Sequence, residues 1–185
     1  MPQPPAKKGR ASGFNTPNRF EQLHLEPDPL ELDDEDYKEK VPTQFSVDSS
    51  KSILAQNNSP DVGFRFSLNP YRGCEHGCVY CYARPTHEYL GFSAGLDFET
   101  RILVKENAPE LLRETFRRKS WKPQVVALSG NTDCYQPVER RLEITRRCLQ
   151  VFLEFRNPVT IITKNALVMR DLDILRQLAP RSGAC

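Results

Sequence analysis

Three cysteines, Cys74, Cys78 and Cys81, lie within the stretch GCEHGCVYCY at residues 73–82. The spacing C-x3-C-x2-C puts three thiols on one short loop, from which thiolates can converge on a soft metal centre. A cubane iron-sulfur cluster normally takes four thiolates, one for each iron, so three thiolates leave one iron open. An open coordination position is typical of a catalytic metal site, where a substrate or cofactor supplies the missing ligand.

Two other interpretations of these cysteines stay open. One is a zinc site that is completed by His76, His87 or Cys134, and the other is a chance spacing of structural cysteines. Zinc sites usually show two separated pairs of ligands, and this sequence has no second C-x2-C. The spacing therefore favours an iron-sulfur cluster.

The rest of the sequence predicts a cytoplasmic protein. Basic residues near the start are not followed by an apolar segment, and the longest apolar runs, VVAL and VTII, are too short to cross a bilayer. In a reducing compartment we expect the six cysteines to be ligands, reactive thiols or core residues rather than disulfides. The net charge of +2 is too nearly balanced to indicate a nucleic-acid partner.

Composition divides the chain near residue 60. Residues 1–60 hold many of the prolines and the acidic block DPLELDDEDYKEK, with no clear period of 2 or 3.6. Such a segment buries too little apolar surface to offset the entropy of ordering it, so we predict that it is disordered or extended. We predict a folded core at residues 61–180 and a short tail at residues 181–185.

The core alternates between strand and helix patterns. FRFSLN, RILVK, QVVALS and VTIIT have the alternation or the compact apolar run of strands. Helical periodicity marks PELLRETFRRK, the segment from Pro137 to Phe155, and DLDILRQLA. Short connections between such elements are typical of parallel βα units, because the helix supplies the crossover between parallel strands. The predicted fold class is therefore α/β.

Three loops follow predicted strands in this core, and they hold the unusual residues of the sequence. They are NPYRGCEHGCVYCYARP, SGNTDCYQP and TKN. In an α/β sheet the functional residues lie in the loops at the carboxyl ends of the strands. The sequence therefore predicts a site built from these three loops.

The cysteine motif, with Tyr80 directly before its last cysteine, resembles the signature of the radical S-adenosylmethionine (SAM) superfamily. NPYRGCEHGCVYCYARP, TDCYQPVE and ITKN are similar to the branch that includes spore photoproduct lyase. The resemblance covers roughly residues 40–180. It implies a lyase or oxidoreductase type of radical enzyme on a partial (β/α)6 barrel, of which this chain would form the N-terminal half.

The resemblance also implies roles for individual residues. The three cysteines would hold a 4Fe-4S cluster, whose open iron binds the amino and carboxylate groups of SAM. Tyr80 would lie beside the adenine. Thr132 and Asp133 would bind the ammonium of SAM and Lys164 its carboxylate, which agrees with the charges of these groups. Reductive cleavage of SAM would then give a 5′-deoxyadenosyl radical.

Other residues of the predicted loops have open roles. Cys134 is a candidate hydrogen-atom donor or resolving thiol, although a partly buried structural cysteine is the simpler interpretation. Cys148 is expected to pack within its helix. The second loop lacks the Gly-Gly-Glu that many superfamily members use for the amino group, which leaves the roles of Ser129, Asn131 and Thr132 open.

The predicted function is that of a radical SAM iron-sulfur protein with an unknown substrate. The alternatives are a nucleic-acid repair lyase like spore photoproduct lyase and an inactive metal-binding fragment. The resemblance implies an electron donor such as a flavodoxin or ferredoxin, allows a nucleic-acid substrate and implies no membrane partner. Because the sequence stops after three of about six βα units, we expect a truncated form. A self-sufficient half-barrel that dimerises through its open edge is the alternative.

Overall fold

The computed structural model describes residue 7, residues 9–21 and residues 41–182. The chain divides into two compact units. Unit 1 comprises Met1–Ser46 and Arg72–Leu103, and unit 2 comprises Val47–Tyr71 and Val104–Cys185. The cysteine loop, defined as residues 73–82, belongs to unit 1. The loops that contain Asp133 and Lys164 belong to unit 2.

Short strands and helices follow one another along the described residues. In chain order they are β1 (Gln44–Val47), β2 (Leu54–Gln56), β3 (Phe66–Leu68), β4 (Tyr71–Arg72), a first 3-10 helix (Arg84–Leu90), α1 (Asp97–Thr100), β5 (Arg101–Val104), α2 (Ala108–Arg117), β6 (Val126–Leu128), α3 (Glu139–Leu142), α4 (Ile144–Phe155), β7 (Val159–Ile161), a second 3-10 helix (Ala166–Asp171) and α5 (Leu172–Ser182).

Unit 2 is built on a four-stranded sheet with the order β2-β3-β6-β7. β2 runs antiparallel to β3, whereas β3, β6 and β7 are parallel, with Leu68, Leu128 and Ile161 in one row of the register. β6 is buried along its whole length, as expected for a central parallel strand. These strands confirm three of the predicted segments, FRFSLN, QVVALS and VTIIT.

The helices of unit 2 pack their apolar sides together, α2 on α4 and α4 on α5. Phe116 of α2 is at the centre of an aromatic cluster, with ring centroids 5.4 Å from Phe152, 5.7 Å from Phe155 and 5.1 Å from the stacked ring of Trp121. Aromatic pairs in this range add to the stabilisation that burial of their surface provides. The predicted helices PELLRETFRRK and DLDILRQLA are confirmed as α2 and α5.

The single helix predicted from Pro137 to Phe155 is wrong in one respect. Glu143 takes a left-handed conformation (φ 51°) that separates α3 from α4. The buried carboxylate of Glu139 accepts hydrogen bonds from the backbone N–H of Thr145 at 3.0 and 3.1 Å. It thereby satisfies a donor in the first turn of α4, where a helix has no internal acceptor. The predicted apolar stripe is largely buried all the same, at Val138, Thr145, Leu149 and Phe152.

Unit 1 contains most of a three-stranded sheet with the order β1-β5-β4. The predicted strand RILVK is confirmed as β5, but it belongs to this sheet and not to the parallel sheet of unit 2. Phe98 of α1 and Ile102 of β5 are fully buried. The first 3-10 helix ends at Gly91, whose φ of +77° is readily available to glycine.

Residues 9–21, called the N-terminal strap below, make specific contacts within unit 1. Asn15 and Asp97 form two reciprocal hydrogen bonds, of 2.9 and 2.8 Å. The buried side chain of Asn18 donates to the carbonyls of Glu88 and Phe92. The prediction for residues 1–60 did not include these contacts or the strands β1 and β2. Within the segment 1–60 that was predicted to be disordered or extended, residues 1–6, 8 and 22–40 lie outside the described residues.

The described strands do not form a closed sheet, since β2 and β7 are the outer strands of the sheet in unit 2. The fold is therefore mixed α/β, as predicted, but the partial barrel that the resemblance implied is not shown. Among the helices of the described ranges, none has the length and apolar character needed to cross a membrane.

Candidate functional site

The cysteine loop follows β4 and folds through tight turns. The N–H of Cys74 donates to the carbonyl of Phe98 at 2.8 Å, which connects the start of the loop to α1. Within the loop, the N–H of Gly77 donates to the carbonyl of Cys74 at 3.2 Å, and that of Cys81 donates to the carbonyl of Cys78 at 3.3 Å. These turns keep the three cysteines on a compact stretch of backbone.

Two glycines allow the loop to take this path. Gly73 and Gly77 have φ values of +79° and +59°, which side chains other than glycine rarely adopt. A Cβ atom on Gly77 would lie 2.5 Å from Oε2 of Glu99, and one on Gly73 would lie 2.9 Å from Cδ1 of Ile102. The glycines therefore serve both the turn and a close approach of the loop to its neighbours.

None of the three cysteines of the loop takes part in a disulfide. Cys74 is 6% exposed and lies in an apolar cluster with Ala83 and Phe98, against which the half-buried Cys81 also packs. The described residues hold no group of three or more His, Cys, Asp and Glu side chains placed around a single metal ion. An iron-sulfur cluster distributes its thiolates over separate irons, so three thiols outside any disulfide on one loop fit this group in number and chemistry.

Tyr80 is 84% exposed, and its neighbours Val79 and Tyr82 are exposed as well. Exposed aromatic rings offer a flat apolar face on which a base can stack. The adenine contact assigned to Tyr80 stays a prediction.

Sequence reasoning missed two residues that contact the cysteine loop, Arg84 and Glu99. The guanidinium of Arg84 donates to the carbonyl of Cys78 at 3.0 Å and to the carboxylate of Glu99 at 2.5 Å. Glu99 is 1% exposed. Arg84 lies within the quoted motif NPYRGCEHGCVYCYARP, but nothing in the local sequence pattern pairs it with a charge fifteen positions away in another helix.

In unit 2, the loop after β6 begins with a strained residue. Ser129 has a φ of +74°, which is uncommon for a residue with a side chain. Its hydroxyl accepts a 2.6 Å hydrogen bond from the N–H of Cys134. Oδ1 of Asn69 accepts from the N–H groups of Asn131 and Thr132. The loop is thus held in a defined conformation at the carboxyl end of a parallel strand.

The predicted SAM-binding residues Thr132 and Asp133 both make internal hydrogen bonds. The hydroxyl of the buried Thr132 donates to the carbonyl of Tyr71 at 2.7 Å. Asp133 accepts from the hydroxyl of Thr163 at 2.8 Å and from the N–H of Lys164 at 3.1 Å, which connects the loops after β6 and β7. The side chain of Lys164 is exposed. The structure brings these predicted residues together within unit 2, while their roles toward SAM stay predictions.

Cys134 and Cys148 are both buried. Burial is the main reason that the pKa of each thiol is raised well above its usual range. A thiol with a raised pKa carries little thiolate at neutral pH and is a poor nucleophile. This agrees with packing roles for both cysteines and does not favour Cys134 as a resolving thiol.

A buried ionic network in unit 2 was also not predicted from the sequence. It lies next to the loop that follows β6. Glu139 accepts from the hydroxyl of Tyr71 and from the guanidinium of Arg170 at 2.9 Å. Asp171 forms ion pairs of 2.8 and 2.9 Å with Arg146 and Arg170. Burial opposes ionisation of Asp171, but the hydrogen bonds from these arginines outweigh it and lower the pKa of the carboxyl. The network fixes α3, α4 and the second 3-10 helix together.

His87, once a candidate zinc ligand, is fully buried in unit 1 against the rings of Phe92 and Phe98. Burial lowers the pKa of His87 to about 4, although the backbone of Arg101 and Asp97 acts in the opposite direction. His87 is therefore a neutral core residue of unit 1 at physiological pH. His76 lies half-buried in the cysteine loop.

The buried His87 predicts a pH dependence of stability. An unfolded chain binds a proton at this histidine below about pH 6.5, while the folded chain resists it down to about pH 4. The free energy of unfolding should therefore fall as the pH drops from about 6.5 to 4, by up to about 3 kcal/mol from this residue. Denaturant titrations of the wild type and His87→Gln at pH 7 and pH 5 test this. A pH dependence that is the same in both proteins would contradict the prediction.

Comparison with known proteins gives one family. The profile of the Radical SAM superfamily matches residues 68–182, which is more than half of the chain. The matched range includes the cysteine loop and the loops after β6 and β7. No solved structure matches the chain.

Three relatives illustrate the range of similar proteins. An uncharacterized protein of Mycobacterium tuberculosis (strain ATCC 25618 / H37Rv) is 43% identical over 122 residues, 66% of this chain and 36% of the relative. An uncharacterized protein of Methanocaldococcus jannaschii is 31% identical over 117 residues, 63% of this chain and 42% of the relative. An uncharacterized protein of Acidianus two-tailed virus is 30% identical over 138 residues, 71% of this chain and 45% of the relative.

This chain thus spans 36% to 45% of the length of these curated relatives. The family match covers both the loop that carries the three cysteines and the parallel strands that precede the other candidate residues. On this match, the chain belongs to the radical SAM superfamily.

Proposed function

We propose that this chain binds a 4Fe-4S cluster through Cys74, Cys78 and Cys81 and binds SAM for reductive cleavage. The observation that carries the proposal is the cysteine loop, in which two successive turns bring three thiols outside any disulfide onto residues 74–81 of a radical SAM domain. When bound, the cluster would supply the electron that cleaves SAM to methionine and a 5′-deoxyadenosyl radical.

We assign the groups of SAM to four residues. The exposed ring of Tyr80 would stack on the adenine. Lys164 would bind the carboxylate of SAM, since an ammonium pairs with a carboxylate, and Thr132 and Asp133 would bind its ammonium. Asp133 accepts from the hydroxyl of Thr163 and from the N–H groups of Tyr135 and Lys164, which holds its carboxylate at the carboxyl ends of β6 and β7.

Anaerobic reconstitution with iron and sulfide tests the metal centre. We expect about four irons and four sulfides per chain, with the broad visible absorption of a 4Fe-4S cluster. The same preparation is incubated with equimolar zinc as a competitor. Stoichiometric zinc with no retained sulfide would contradict the proposal and return the cysteines to a zinc site.

The lysine after β7 gives a prediction for SAM binding. Lys164→Ala should weaken binding by about 1.5 to 3 kcal/mol, the usual worth of a hydrogen bond to a charged group, and leave the iron content unchanged. Equilibrium binding of SAM to the reconstituted chain measures this. Lys119→Ala, at an exposed lysine after α2, is the matched control and should bind like the wild type. Equal affinity in Lys164→Ala and wild type would remove Lys164 from the site.

The likeness of NPYRGCEHGCVYCYARP to the spore photoproduct lyase branch supports a finer proposal, a nucleic-acid lesion as substrate. The test is binding of a DNA oligonucleotide over a series of salt concentrations. Affinity that falls steeply with salt would support a nucleic-acid substrate, because phosphate contacts release counterions. No binding at low salt would contradict it.

We also propose that a flavodoxin or ferredoxin supplies the electron.

A further inference from the structure

Glu99 is a buried carboxylate that faces the cysteine loop. Its Oε1 accepts from the guanidinium of Arg84 at 2.5 Å and from the N–H of Ser12 at 3.0 Å. Its Oε2 accepts from the N–H of Ala11 at 3.1 Å and lies against the backbone of Gly77. A buried charge is stable only when it is paired and hydrogen-bonded. The partners of Glu99 therefore have to stay in place, and with them the loop at Gly77.

Arg84 extends this contact to the second cysteine. Its Nε donates to the carbonyl of Cys78 at 3.0 Å, and its Nη1 donates to the carbonyls of Ala94 and Gly95 at 3.2 and 3.0 Å. The guanidinium also lies over the ring of Phe98, 5.3 Å from its centroid. A rigid guanidinium fork with this many acceptors has little freedom to move. The position of the Cys78 carbonyl is thus coupled to the charge of Glu99.

The N-terminal strap completes the arrangement from the other side. Its N–H groups at Ala11 and Ser12 donate to Oε2 and Oε1 of Glu99, whereas Arg84 donates to Oε1. The strap packs closely here, because a Cβ atom on Gly95 would collide with the carbonyl oxygen of Phe14. Without the strap, one side of a buried carboxylate would lose its hydrogen bonds.

From these contacts we infer that Arg84, Glu99 and the N-terminal strap form a positioning frame that holds the cysteine loop ready for its cluster. The inference rests on the proposed function, since the loop is the one to which we assign the cluster. All of its contacts lie within unit 1. None of these residues is a cluster ligand: Glu99 lies against Gly77, Arg84 donates to the carbonyl of Cys78, and the strap acts through Glu99.

The frame has two consequences that can be measured separately. In the iron-free chain it should protect the loop amides of Gly77 and Cys81 from hydrogen exchange, because both N–H groups donate within turns that the frame holds. In the reconstituted chain it should slow the loss of iron to a chelator, because a loop that opens less often exposes the cluster less often.

Glu99→Gln is the central variant. The side chain keeps its size, but its amide group presents a donor to either Arg84 or the strap N–H groups. We expect about tenfold faster exchange at Gly77 and Cys81, about tenfold faster iron loss and a broadened electron paramagnetic resonance signal of the reduced cluster. Glu154→Gln, at the exposed ion pair with Arg113 in unit 2, is the isosteric control and should match the wild type in all three.

The strap is tested at one backbone N–H. Ser12→Pro removes the donor to Glu99 that Ser12→Ala keeps. Ser12→Pro should therefore change exchange and iron loss in the same direction as Glu99→Gln, while Ser12→Ala should resemble the wild type. If Glu99→Gln fails to fold, the comparison of Ser12→Pro with Ser12→Ala still tests whether the frame holds the cysteine loop.

Two results would overturn the frame or its role toward the cluster, and a third would distinguish a failure of the proposed function from a failure of the frame. Unchanged exchange at Gly77 and Cys81 in both Glu99→Gln and Ser12→Pro would overturn the frame. Faster exchange without faster iron loss would overturn its role toward the cluster. If the wild-type chain assembles no cluster, the proposed function fails, whereas exchange in the iron-free chain still decides whether the frame holds the loop.

Discussion

Cys78→Ala is expected to reduce the iron and sulfide retained after reconstitution to the level of a chain that was never given sulfide. With one thiolate lost, one further iron would have neither a protein ligand nor a cofactor, and the cluster would be open to solvent and exchange. The loop itself should persist, because Cys78 contributes its carbonyl to the hydrogen bonds from Arg84 and Cys81, and alanine keeps that carbonyl.

Cys148→Ala is the matched control for this experiment. Cys148 is a free, fully buried thiol of α4 in unit 2, so its removal also deletes one sulfur but from a packing position. The control should retain its iron at the wild-type level. Cys74→Ala and Cys81→Ala should behave like Cys78→Ala. Full iron content in any of these three variants would contradict the assignment of the ligands.

The second large effect concerns stability, at the buried carboxylate of Glu139. Glu139→Ala leaves the buried hydroxyl of Tyr71 and the guanidinium of Arg170 without this partner, together with the N–H of Thr145. Breaking a buried pair on one side typically costs about 3 to 5 kcal/mol, because the remaining polar groups are not compensated. We expect a loss of stability of this size in unit 2.

Trp121 is the single tryptophan of the chain and lies in unit 2, so its fluorescence in a urea titration reports on that unit. Glu154→Ala is the control: it removes an exposed carboxylate that pairs with Arg113, and such surface pairs contribute about 0 to 1 kcal/mol. If Glu139→Ala and Glu154→Ala lost equally little stability, the buried network would not stabilise the fold in the way described.

The parallel core of unit 2 could be predicted from the sequence because its signals are local. β6 and β7 are compact apolar runs, and α2 repeats its buried positions at helical spacing. The break between α3 and α4 could not be predicted in this way. It depends on a side chain, Glu139, that turns back to the first turn of α4, and periodicity does not report such a contact.

The frame around the cysteine loop was missed for a related reason. The contacts of Glu99 with Ala11 and Ser12 join residues 88 and 87 positions apart. A segment that is rich in proline and polar residues gives no sequence signal for such pairing. The cysteine motif is visible in the sequence, because cluster chemistry constrains residue type and spacing within a single loop, and its role as a ligand set stays a prediction.

The central claim is that the cysteine loop holds a 4Fe-4S cluster with an iron open to SAM. The most direct measurement is electron paramagnetic resonance of the reconstituted and reduced chain, recorded before and after SAM is added. The account predicts a 4Fe-4S signal whose g-values shift with SAM in the wild type, and no cluster signal in Cys78→Ala. A cluster spectrum that SAM leaves unchanged, or a chain that retains zinc in place of iron, would contradict it.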